Sequence, residues 1–520
     1  MALKIGGKQM QRRQLLKSMV SLGAGSLLLN TPFNALAKVN SPQQAVNFKL
    51  LFNQALVSHP ELIGFANVED NFQPQVLSIE GVLPKDLVGT FYRNGPAKHE
   101  RGEARYQHLF EGDGMLQRFT FSDGKIKHQG KFIATPKFQK EQQAQRFLYS
   151  GPETIIQQPL PVSNADMINT ANTNIIAVGN DLWALWEAGS PTKVDEQTLE
   201  YKGQINLGAG GKYQNSLQGL PFSAHPKIEA NGDIWNFGLN ATGHVVLYHL
   251  AANGQVKNVG LINAEYHGGM LHDFLITDKH LLVILPSLNV GHSSDKNRQG
   301  LFSRIEFDQN QPMRVLVISK VDLSIQKQYE LPAGFAFHYG NAWEEKDGTI
   351  RFDASLYANV DVLQNLSNIM QGNMDNANTD AKTVLFTLNP NGTAMRNVMD
   401  LNSEFPRICN HLTGLRNQYL YQLSSSHNSL WSDTVCSLNL ETGKQDSFDF
   451  GKDYQVEEHI IVCPKKVEGT GYLIGTALHV PSKRTCLNVF KADDLASGPM
   501  ARAWLSHHLP LGFHGNFKHA

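Results

Sequence analysis

Two short stretches of this sequence echo one another around a histidine: Gly334-Phe335-Ala336-Phe337-His338-Tyr339-Gly340-Asn341 and Gly512-Phe513-His514-Gly515-Asn516. Imidazole is the commonest metal ligand of neutral pH and a general acid or base. A histidine set between small glycines and a wall-forming phenylalanine suits a place where backbones crowd together around an axis. Metal binding or proton transfer is the chemistry such a pair can do. The alternative is a pair of satisfied structural histidines. The chain holds 20 histidines, too many for spacing alone to select a ligand set.

The remaining composition narrows the partners. Lys and Arg number 46 against 47 Asp and Glu, a formal charge of -1, so no electrostatic footprint for nucleic acid or an anionic membrane is expected. The expected partner is a small, weakly charged molecule. Cys409, Cys436, Cys463 and Cys486 lie in the last quarter without a Cys-x-x-Cys pair, which does not fit a zinc site. Disulfide and buried thiol both remain open readings for them.

The N-terminus reads as an export signal. Arg12-Arg13-Gln14-Leu15-Leu16-Lys17 precedes an apolar run from Ser18 to Leu29 and then Ala35-Leu36-Ala37. This is the anatomy of a twin-arginine signal cleaved after Ala37, and about a dozen apolar residues fall short of the roughly 20 that cross a bilayer. The expected mature protein is soluble, periplasmic, and a single domain over residues 38–520.

The elements that must position the histidines are strands. Turn signals recur at Ser122-Asp123-Gly124-Lys125, Ala230-Asn231-Gly232-Asp233, Lys346-Asp347-Gly348-Thr349, Asn389-Pro390-Asn391-Gly392 and Glu441-Thr442-Gly443-Lys444. Asn-Gly and Asp-Gly supply the positive φ angles of tight hairpins. Runs such as residues 174–178, 281–285 and 383–388 have strand length and β-branched content. Hairpins spread over most of the chain without a helical period predict an all-β propeller, since radial repetition absorbs many strands around one axis. Helical insertions are expected at residues 361–371 and 140–146, and residues 39–74 are expected to wrap the surface.

Six further stretches, in order, resemble landmarks of the carotenoid and stilbene cleavage oxygenases: Phe91-Tyr92-Arg93-Asn94-Gly95-Pro96, Phe110-Glu111-Gly112-Asp113-Gly114-Met115, Ala171-Asn172-Thr173-Asn174, Leu182-Trp183-Ala184-Leu185-Trp186-Glu187, Met270-Leu271-His272-Asp273-Phe274 and Glu404-Phe405-Pro406-Arg407-Ile408. The resemblance runs from about residue 80 to the terminal Gly512-Phe513-His514-Gly515. It implies a seven-bladed β-propeller with a loop and helix cap over the iron-bearing face. It also implies four iron(II) ligands, His225, His272, His338 and His514, with Glu187, Glu404 and Glu458 on their far ring nitrogens. At Glu458 the sequence departs from the family pattern, because His459 stands where proline is common. Thr173 matches a threonine beside the vacant coordination position. His267 and His508, close in sequence to implied ligands, are read as structural or surface residues.

The activity implied is the use of O2 to cleave a C=C bond of a carotenoid or apocarotenoid into two carbonyl products. A hydroxystilbene is the alternative substrate, because Tyr106 and Lys137 match the pair that binds a phenolic hydroxyl in stilbene-cleaving members. The polar stretch of residues 139–146 and the lack of an amphipathic membrane helix favour a soluble or partly soluble substrate. Two further alternatives are a non-catalytic propeller that only binds partners and, within the family, isomerisation of a retinoid ester.

Overall fold

The computed structural model describes residues 47–209, 213, 217, 219–291, 300–374, 380–427 and 429–520; the export signal expected over residues 1–37 lies outside them. Among the described residues, seven antiparallel sheets of four or five strands form the blades of a β-propeller, as expected. Five blades each come from one continuous stretch. The third, for instance, runs Lys227–Ile228, Ile234–Leu239, His244–Leu250 and Val256–Asn263.

The first and seventh blades exchange strands from opposite ends of the sequence. Gly515–His519 pairs with Gly89–Lys98 in the first blade, and Ser78–Gly81 pairs with Ala501–Trp504 in the seventh. The ring is therefore sealed twice, and the first and seventh blades pack face to face like any other neighbours.

Local sequence explains the blades. At the Ser122–Lys125 turn Asp123 and Gly124 both have positive φ, 50° and 67°, as a two-residue turn of primed type requires. Central strands such as His280–Leu285 are apolar and almost wholly buried, whereas the outer strand Ile325–Leu331 is mostly exposed. The core lies in layers between neighbouring blades. Leu282, Ile284 and Val315 of the fourth blade meet Phe352, Val384 and Phe386 of the fifth in one such layer.

The cap contains helices Pro136–Ala144 and Asp361–Met370. The first begins earlier than the expected residue 140, because Thr135 accepts from Phe138 N and Pro136 fits the first turn. The expectation for residues 39–74 is corrected in its described part. Helix Phe48–Ser58 and the turn Pro60–Phe65 bury Phe52, Leu62 and Phe65 against Leu366, Met370 and Phe513, so this segment is part of the roof. No helix of the described residues is long and apolar enough to cross a membrane. Both cysteine readings hold, on different pairs: Cys409 and Cys463 are bridged, and Cys436 and Cys486 are buried thiols.

Candidate metal centre

Four histidines meet at the propeller axis. His225 precedes strand Lys227–Ile228, His272 precedes Leu275–Ile276, His338 follows Phe335–Ala336, and His514 precedes Gly515–His519. Each of these strands lies at or next to a blade's edge, so four blades each contribute one buried imidazole. Their ligating nitrogens all lie within 4.8 Å of one another. His514 Nε2 is 3.0 Å from His225 Nε2 and 3.2 Å from His338 Nε2.

The donor set fits a metal ion. A neutral imidazole carries one N–H, and carboxylates face the Nδ1 side of His338 and His514 within hydrogen-bond reach. With those protons on Nδ1, the Nε2 lone pairs point at one another, which is repulsive unless a cation sits between them. An ion with nitrogen ligands at about 2.0–2.1 Å places ligands at right angles about 3.0 Å apart. Imidazole donors suit a borderline divalent ion, iron(II) included.

The three glutamates differ in how they hold their histidines. Glu404 accepts from His338 Nδ1 at 2.5 Å, from Tyr357 Oη at 2.7 Å and from its neighbour Phe405 N at 2.8 Å. Phe405 has a positive φ of 51°, a strained conformation for a bulky residue, which folds the backbone back onto the Glu404 carboxylate. Glu458 accepts from His514 Nδ1 at 2.9 Å and receives a fork of two bonds from Arg407, each 2.8 Å. Glu187 Oε1 is 3.1 Å from His272 Nδ1 and 3.6 Å from His225 Nδ1, so one carboxylate oxygen is shared by two histidines and aligned on neither as closely as the other two glutamates are.

The electrostatics follow from the protein groups themselves. Burial alone would raise the Glu404 carboxyl, but the charge of His338 and three donated hydrogen bonds outweigh it and hold the group low. Glu458 is held further below its ordinary value, because Arg407 and His514 outweigh its burial. Burial lowers His225 strongly, reinforced by the neighbouring imidazoles, and lowers His514 to about 4 against the opposing charge of Glu458. At His272 the same burial is outweighed by Glu187, Asp273 and Glu404, and its value rises. Neutral imidazoles are the form that ligates a metal.

Above the histidines lies a cavity of about 840 Å³, within the usual range for small-molecule sites. Phe110, Phe302, Phe337, Phe405, Phe513 and Trp431 supply its apolar wall, and His272, His338 and His514 face it. Thr173 lines it as well; its hydroxyl donates to Asn172 Oδ1 at 3.0 Å and its carbonyl accepts from His514 N. His267 is exposed and His508 half-buried, and neither belongs to the cluster.

Tyr106 and Lys137, read in the sequence as a phenol-binding pair, stand apart from the cavity wall. The structure brings the two together, with Lys137 Nζ 2.7 Å from Tyr106 Oη, but neither lines the cavity. The ammonium is already paired with Asp113 at 2.8 Å and Glu141 at 3.1 Å, and Arg101 joins the same cluster. Phe147 stacks on the Tyr106 ring at 4.0 Å, and burial beside Glu141 and Asp113 pushes the phenol well above its ordinary value. Sequence reasoning also passed over Arg407 and Asp273, although both stand inside the motifs that carried the resemblance.

The family model described as retinal pigment epithelial membrane protein matches residues 65–519. The apocarotenoid-15,15'-oxygenase of Synechocystis sp. is 27% identical over 479 residues, covering 88% of this chain and 95% of its own. The resveratrol cleavage oxygenase 1 of Aspergillus fumigatus is 25% identical over 478 residues, covering 85% and 91%. Among solved structures, cobalt-substituted Synechocystis ACO superposes with a TM-score of 0.77 at 25% identity, covering 89% of this chain and 99% of its own.

Proposed function

The chain belongs to the RPE65 family of carotenoid cleavage oxygenases, and from that premise we propose that it is an iron(II) dioxygenase that splits one C=C bond of an apocarotenoid or carotenoid. Both atoms of O2 enter the products, one in each of two carbonyl groups, so no external reductant is required. The observation that carries this reading is that three of the four clustered histidines face one aromatic-walled cavity. Iron would be held by His225, His272, His338 and His514, and it would supply the redox chemistry by which O2 reacts with an alkene.

The residues of the chain do the rest. The phenylalanine wall binds and aligns an apolar polyene and keeps bulk water from the reacting bond. Thr173, beside His514, narrows the approach to the metal. The cavity's exposed end carries Ser425, Ser426 and His427, a polar mouth that suits an apocarotenoid with one oxygenated terminus. The Aspergillus relative's name gives a hydroxystilbene as the competing substrate. Against it stands Lys137, whose charge is spent on Asp113 and Glu141 outside the cavity. Iron analysis and mass spectrometry of products from apocarotenals, carotenoids, a hydroxystilbene and its methyl ether test the reading. Two carbonyl fragments from an apocarotenal support it; cleavage of the hydroxystilbene alone overturns the substrate class, and an iron-free active enzyme overturns the metal.

We also propose that the protein reaches the periplasm by the twin-arginine route, with residues 38–520 as its mature domain. Arg12-Arg13 and the Ala35-Leu36-Ala37 site support this. The Cys409–Cys463 bridge is in keeping with an oxidising compartment.

A further inference from the structure

Strand Tyr454–Val462 of the seventh blade carries two adjacent glutamates, and its register shifts between Val456 and His459. A bulge frees successive side chains from strict alternation. Glu457 and Glu458 are both buried and serve different neighbours. Glu458 reaches the metal centre, where its second oxygen also accepts from Gly515 N at 2.8 Å, and Arg407 donates to Gly515 O at 2.9 Å. Glu457 reaches the first blade. It accepts there from Arg93, from Gly512 N of the segment that leads into the closing strand, and, within its own blade, from Thr476 Oγ1 at 2.6 Å, while Arg93 also donates to Pro510 O.

The segment 510–515 is thus gripped at Pro510 O, Gly512 N, Gly515 N and Gly515 O, with His514 between the grips. Space is closed as tightly as charge. A Cβ on Gly512 would lie 2.6 Å from Arg93 Nε, and one on Gly95 would lie 2.4 Å from Gly512 Cα. Burying the Arg93–Glu457 pair is expensive, and apolar side chains would stabilise a fold at least as well. The two pairs converge on the ligand that most needs external support. His225, His272 and His338 stand in blades built from continuous chain, whereas His514 immediately precedes the strand that closes the ring from the far end of the sequence.

We propose that Glu457, Arg93 and Arg407 are positioning residues for His514, two arginine–glutamate pairs acting as a clamp that sets the aim of the fourth metal ligand. The proposal rests on the reading that the four histidines bind a metal. It concerns metal affinity and needs no assay of turnover.

The test is a cobalt(II) titration of the purified full chain after metal removal, followed by visible absorption, which reports the number of nitrogen ligands. Arg93→Met with Glu457→Gln removes both charges of one pair together and leaves no lone buried ion. Cobalt affinity should fall about 10-fold or more, the usual effect of losing an outer partner, with a spectrum shifted toward that of His514→Ala. In a His514→Ala background the same pair of substitutions should cause no further fall, because residues acting through one ligand are not additive. An equal fall in both backgrounds would assign the pair a general structural role and overturn the proposal, as would wild-type affinity. If that variant does not fold, Arg407→Lys, which keeps the charge and loses the fork, carries the same comparison. Native protein that takes up no cobalt would overturn the metal reading and the clamp together; native binding with indifferent variants would overturn the clamp alone.

Discussion

Asp273 and Lys227 are joined by an ion pair of 2.8 Å that ties together the segments around the metal centre. Asp273 follows His272, Lys227 lies two residues after His225, and the second Asp273 oxygen accepts at 3.1 Å from Tyr339 N, next to His338. One carboxylate therefore fixes the spacing of three histidine-bearing segments. Asp273→Ala should destabilise the metal-free protein by about 1–3 kcal/mol, the cost of stranding buried partners, and lower its iron content. Unchanged urea midpoint and iron content would show that the three segments hold their places without it.

The glutamates should not be equivalent. Glu404 makes three aligned hydrogen bonds, whereas one Glu187 oxygen is shared between His272 at 3.1 Å and His225 at 3.6 Å. Glu404→Gln should lower iron affinity toward the upper end of the roughly 10- to 100-fold range for such partners, and Glu187→Gln toward the lower end. Chelator competition on both variants checks the order; the reverse order would refute the assignment of roles.

Lys137→Met should act on the fold rather than on one substrate. It leaves Asp113 and Glu141 buried with Arg101 as their remaining cation, and breaking such a pair costs about 3–5 kcal/mol. Thermal unfolding should shift down, and turnover of polyene and hydroxystilbene should fall together. Selective loss of hydroxystilbene cleavage at normal stability would restore Lys137 to the substrate site.

Acid sensitivity has a definite sign. Glu458 lies well below its ordinary 4.5 because the charges of Arg407 and His514 outweigh its burial. As pH falls through that ordinary value the unfolded chain takes the proton first. The stabilisation is thus complete above it and is lost as pH drops toward the folded value. Arg407→Met with Glu458→Gln should flatten this acid limb in metal-free protein, read as the urea midpoint from about pH 6 to about pH 3. A limb as steep as the native one would place the acid sensitivity elsewhere.

Export is checked by replacing Arg12 and Arg13 with lysine, which should leave folded, uncleaved protein in the cytoplasm. Mature protein beginning at Lys38 in the periplasm of such cells would identify another route.

The hairpins were legible because their cause is local: Asp123-Gly124 or Asn391-Gly392 dictates a turn whatever surrounds it. Strands at 174–178 and 383–388 were equally plain from β-branched content. Pairing across the ring was not, since nothing near Gly515 announces that it will lie beside Arg93. The same limit hid the Cys409–Cys463 bridge, which depends on the sixth and seventh blades standing side by side. Among 20 histidines the four that cluster could be picked out through the family motifs but not through spacing. For Tyr106 and Lys137 the matched positions suggested a shared phenolic hydroxyl, and nothing local announced that Asp113 and Glu141 close over the ammonium.

The double seal of the ring also sets a timetable. Contacts between residues 89–93 and 515–519 are about as non-local as this chain allows, and such contacts form late and slowly because a very long loop must close first. His514 belongs to that last event, so a partly assembled propeller offers three imidazoles and a gap. The fourth imidazole can thus join the other three only where the two ends of the chain have met.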